Sequence, residues 1–78
     1  MKNLIETSAF REQLQWAKNT LLGKAVINIK HGTTYYVKGI TVDSETLELR
    51  VVYNDGINVF NDWDRPLNLF LRKFKSKY

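Results

Sequence analysis

Apolar residues recur along the first third of the chain at helical spacing. Phe10, Leu14, Ala17 and Leu21 stand at i, i+4, i+7 and i+11, which draws one stripe down a helix. Thr7 or Ser8 can cap its start with a side-chain oxygen on an orphan N–H, and Gly23 suits the left-handed stop at its end. The spacing predicts a helix over about 8–22. Trp16 falls off the stripe, on the flank with Ala9, Gln13 and Thr20.

After Gly23 the period changes to two. Ala25, Ile27 and Ile29 alternate with Val26, Asn28 and Lys30, and a His31-Gly32-Thr33 turn follows. Residues 34–42 are rich in β-branched and aromatic side chains, with Gly39 in their middle as a bulge or sharp bend. Asp43-Ser44-Glu45-Thr46 reads as a turn. Leu47, Leu49, Val51 and Tyr53 then alternate with Glu48, Arg50, Val52 and Asn54. Asn54-Asp55-Gly56 is a hairpin signal, predicting a tight turn into a fourth strand with Ile57, Val59 and Trp63 on its core side. Pro66 ends that strand, and residues 66–71 fit either a short helical turn or a closing strand. The expected fold is α+β. An N-terminal helix packs on a small, strongly curved antiparallel sheet or SH3-like barrel of four to five strands. Residues 1–78 form a single domain, with the β-rich module over about 24–74.

Within that module, several residues follow one another in a familiar order: Gly39-Ile40, Ser44-Glu45-Thr46-Leu47-Glu48, Val51-Val52-Tyr53 and Trp63-x-Arg65-Pro66-Leu67-x-x-Phe70. Over residues 32–74 the chain resembles the bacterial and phage family known as domain of unknown function 1653. The N-terminal helix lies outside the matched stretch. The resemblance implies a compact β-rich module and carries no activity with it.

Composition narrows the chemistry. The 78 residues contain no cysteine, which removes disulfides and thiolate metal sites. The first ten residues carry Glu6 and lack the apolar run of a secretory leader, and no stretch approaches the roughly 18 apolar residues of a membrane span. The expected location is the cytoplasm, away from membranes. Charge is placed unevenly. Residues 1–64 hold seven basic and eight acidic side chains, whereas residues 65–78 hold five basic ones and no acid. The whole excess of +4 therefore sits in the last fourteen residues.

Five features could carry function, each beside a structural reading. His31, the one histidine, would need an orienting carboxylate to act in catalysis and otherwise decorates a turn. Asp62 and Asp64 share a strand face at i, i+2 and could hold magnesium or divide acid and base roles. Otherwise they solvate an edge strand, or Asp64 caps the turn at Pro66. Trp63 belongs to the core by its alternation with Ile57 and Val59. Arg65 then forks onto a carboxylate or stacks on Trp63, unless the two line a ligand groove. Arg72, Lys73, Lys75 and Lys77 interleave with Phe74 and Tyr78, a pattern that neutralises phosphates and stacks on bases, or simply solvates a chain end. Trp16 either folds over the barrel rim or stands as an interaction hot spot.

The expectation is a non-enzymatic accessory module without catalytic residues, metal or cofactor. It contacts nucleic acid or a ribonucleoprotein through Arg65, Arg72, Lys73, Lys75 and Lys77. The alternative is a regulator, of the kind compact phage genomes encode, that binds a host protein through Trp16 and the helix flank. A small hydrolase or nucleotide-binding enzyme using His31 and the acidic pair is a third class.

Overall fold

The computed structural model describes residues 8–57 and 62–77. In chain order they form α1 (Ser8–Leu21), β1 (Ala25–Asn28), β2 (Thr34–Val42), β3 (Leu49–Asn54), β4 (Trp63–Pro66), α2 (Leu67–Lys73) and β5 (Phe74–Ser76). The α1 stripe is the expected one. Ala17 and Leu21 are buried, and Phe10 and Leu14 pack at the margin of the same core. Gly23 takes a φ of +75°, and its N–H donates to the Val37 carbonyl at 3.0 Å, which seats the helix end on β2. The caps expected of Thr7 and the Ser8 side chain lie outside the described residues.

All strand pairings are antiparallel, and the sheet order is β4-β3-β2-β1-β5. The register places Val26, Tyr35, Val37, Ile40, Leu49, Val51 and Tyr53 on one face, toward the helices. Gly39 marks the expected bulge. Val37 pairs with Tyr53 and Gly39 with Val52, so Lys38 is the extra residue that bends β2.

The sheet is open but strongly rolled. α2 joins the two edge strands with seven residues, about 10 Å of helix, whereas the edges of a flat five-stranded sheet would stand about 19 Å apart. Curling brings the Phe74 ring of β5 within 5.1 Å of Tyr53 on β3, although β1 and β2 lie between them in the sheet. Phe70 stacks on Phe74 at 4.5 Å, so α2 closes the gap between the edges with its apolar side.

Two expectations need correction. Ile57 does not face the core: it is 87% exposed. Tyr53 pairs with Trp63, and the stretch of the expected fourth strand that holds Val59 lies outside the described residues. Asn54 accepts the Gly56 N–H at 3.1 Å and donates to Asp62 at 3.2 Å, which ties the start of the turn to the residue before β4. Leu47 is not in a strand. Asp43 Oδ1 accepts the N–H groups of Glu45 and Thr46, extending the turn until Leu47 takes a φ of +58°. Of the two alternatives for residues 66–71 the helix is found, since all but Pro66 fall in α2, and the strand β5 follows beyond them. The basic residues of this C-terminal segment do not form a loose end, because Phe74 is buried and the Lys77 N–H donates to the Ala25 carbonyl at 3.2 Å. Among the described residues, no helix is long and apolar enough to cross a membrane.

Candidate functional site

The β1–β2 turn sets one wall of a cleft. Asn28 Oδ1 accepts the N–H groups of Lys30 and His31 at 3.0 and 2.9 Å, and its carbonyl accepts the Gly32 N–H at 2.7 Å. Gly32 sits at a φ of +74°, a conformation that a side chain would strain. The Ile29 N–H donates to the Lys73 carbonyl at 2.8 Å and ties this turn to the end of α2. Arg65 arrives from β4. It lies opposite Val51, on the inner face, and its Nε donates to the buried Tyr53 hydroxyl at 2.9 Å.

Between these elements opens a cleft of about 400 Å³ lined by Lys30, His31, Arg65, Arg72 and Lys73, together with Asn28 and Ile29. Among the described residues no carboxylate pairs with any of its four permanent cations. The ion pairs there are Lys38–Asp62, Arg50–Glu48 and Arg50–Asp64. Cations grouped around a concave, low-dielectric wall reinforce one another's field, and an anion entering the cleft relieves their mutual repulsion. Arg65 keeps its terminal amino groups for such an anion, since only Nε is engaged among the described residues.

The remaining candidates divide. Asp62 accepts from Lys38 and from Asn54, and Asp64 accepts from Arg50 Nε at 2.7 Å, so each carboxylate has its own partner. Asp64 does not cap α2, whose first turn has no side-chain cap. Arg65 neither forks onto a carboxylate nor leaves its strand to find one; it uses a tyrosine hydroxyl. Trp63 is not a core residue. It stands on the inner face opposite Tyr53 but is 42% exposed, because β4 is an edge strand. Lys75 lies elsewhere, beside a second, mainly apolar groove of about 190 Å³ lined by Trp16, Leu21, Phe70, Leu71 and Phe74. Trp16 borders that groove at 46% exposure. Lys77 follows β5 and is exposed.

Lys30 was not singled out in the sequence. Its place in a turn beside His31 gave no sign that α2 would end against that turn. Only the β1–β5 pairing brings Lys30 and His31 to Arg72 and Lys73.

The backbone also fixes one carboxyl outside the cleft. The Glu45 and Thr46 N–H groups hold the Asp43 carboxyl below its ordinary value. Compared with protein-family models, with curated proteins and with solved structures, the chain gives no match in any of the three.

Proposed function

We propose that the protein is a small non-enzymatic accessory module that binds nucleic acid, alone or in a ribonucleoprotein, with the basic cleft as its phosphate seat. One observation carries the reading: Lys30, Arg65, Arg72 and Lys73 converge on one cleft without a carboxylate partner among the described residues. Arginine offers a planar fork for phosphate oxygens, and lysine adds a mobile point charge. Lys75 and Lys77, exposed on and after β5 outside the cleft, add positive charge to the same molecule. The engagement of Asp62 and Asp64 by other side chains supports a binding role over acid–base chemistry, as does the placing of His31 among cations.

Fluorescence anisotropy with a labelled duplex and a labelled single strand, across a salt series, tests this. If Arg65, Arg72 and Lys73 each neutralise one phosphate, log affinity falls against log salt with a slope of about −2.7 on duplex or −2.1 on single strand. Changing all three to Gln should abolish the binding and its salt dependence while the thermal transition persists. Absence of binding by the parent at low salt would remove the proposal.

A second reading, a phage-type regulator that binds a host protein, is favoured by the apolar groove beside Trp16. It predicts an association that salt barely weakens and that Trp16→Ala abolishes.

A further inference from the structure

We infer that the ligand is a single strand, and that Trp63 is the platform on which the base next to the cleft phosphate stacks. This rests on the cleft holding a phosphate, and it goes further by naming the form of nucleic acid and the residue that contacts its base.

Trp63 and Arg65 are two positions apart on β4, so they share the inner face and stand about 7 Å apart along the strand. That separation matches the reach from a phosphate, across its sugar, to its base. The indole is held without being covered. Tyr35 meets it edge-on and Tyr53 tilts against it, each at a centroid distance of 6.2 Å, yet 42% of the residue remains exposed. Tyr53 also accepts the hydrogen bond from Arg65 Nε, so one buried ring positions both the guanidinium and the indole. A large aromatic surface fixed by two other rings loses little freedom when a base stacks on it. In a duplex the base faces are already stacked and paired, and an edge-strand indole cannot reach them; in a single strand they are open. Tyr36 is comparably exposed, but it lies opposite Ala25 and Asn54 on the other face, away from the cleft cations. Trp16 borders the separate apolar groove.

The test uses the full chain carrying Trp16→Phe, which leaves Trp63 as the only tryptophan. Its probes are a short oligothymidylate, the matching oligouridylate, an abasic strand of equal length and charge, and a duplex. The two base-bearing strands should bind about tenfold tighter than the abasic strand, a moderate value for one stacked base, and should quench the Trp63 emission. Binding by either sugar supports the inference, and the ratio of the two affinities distinguishes DNA from RNA. Adding Trp63→Leu should lower oligothymidylate binding to the abasic level and leave abasic binding unchanged. Trp63→Phe, with a melting curve as folding control, should restore part of the difference. Equal binding of base-bearing and abasic strands would overturn the platform while leaving the phosphate seat intact, and so would tighter binding of the duplex. If none of the four probes bound at low salt, the phosphate seat would fall, and the platform with it.

Discussion

Asp64 and Arg65 are neighbours on β4 and meet opposite fates. Asp64 points to the outer face, where Arg50 stands diagonally across on β3 and neutralises it, with Glu48 on the same guanidinium. Arg65 points to the inner face, where its nearest polar partner is a neutral hydroxyl, and the charges around it are Lys30, Arg72 and Lys73. Lys38 and Arg50, beside this part of the sheet, are therefore compensated by carboxylates, and the cations of the cleft are not. Net charge alone does not reveal this. A surface whose charges are paired across strands presents little field at a distance, whereas the same number of unpaired cations in a concavity presents a site.

The largest effect that could break this comparison lies beneath it. α2 carries two of the four cleft cations, Arg72 and Lys73, on its exposed side and is anchored by Phe70, which is 1% exposed and stacked on Phe74. Phe70→Ala should cost about 3–5 kcal/mol, a large share of the stability of a domain this short, and binding should vanish along with the lowered thermal transition. An unchanged melting temperature would mean that α2 is not held as described. A smaller change sharpens the contrast between charge and geometry. Arg65→Lys keeps the cation but loses the planar fork and the Nε bond to Tyr53. It should weaken binding by less than about tenfold and leave the salt slope near that of the parent, in line with the modest net worth of one hydrogen bond. A lost slope would show that the guanidinium geometry, not its charge, carries the contact.

The smallest effect belongs to the other end of β2, at the Asp43 turn. Its carboxyl titrates below the ordinary value of 3.8 because backbone N–H groups hold it. The stability this confers is complete above the unfolded value and disappears as pH falls through the lower folded value. Melting temperatures at neutral pH and in acid should differ less for Asp43→Asn than for the parent, while nucleic-acid binding at neutral pH stays the same. A loss of binding in that variant would tie the turn to the cleft.

Much of the fold was legible in the sequence. The α1 stripe, the Gly23 stop and the Gly39 bulge follow from periodicity and from glycine's missing side chain. The errors arose where side chains took over the backbone. Asp43 bonds the N–H group two residues on, which lengthens its turn past the reach of a two-residue period, and Ile57 keeps the alternation yet lies exposed beyond the Asn54 turn. β5 is not legible because three residues are too few to show alternation, and its lysines read equally as a solvated chain end, although Phe74 buried and Lys75 exposed is the pattern of a strand. Of the site, the sequence located the cations of α2 and β4 but not Lys30. Nor could it show that Trp63 is exposed, since alternation identifies a face of the sheet and not whether an edge strand leaves that face covered.

Position, and not net charge, makes the site. Two double variants test it at equal charge: Arg72→Gln with Lys73→Gln in the cleft, and Lys38→Gln with Arg50→Gln among the compensated cations. Each lowers the formal net charge from +4 to +2. Anisotropy with a labelled single strand over a salt series should show the cleft pair losing about 1.4 of the slope and most of the affinity, at roughly 0.7 per phosphate contact. The compensated pair should keep the parent's slope. An equal loss in both variants would contradict the account, because binding would then follow the total charge and the cleft would have no special part in it.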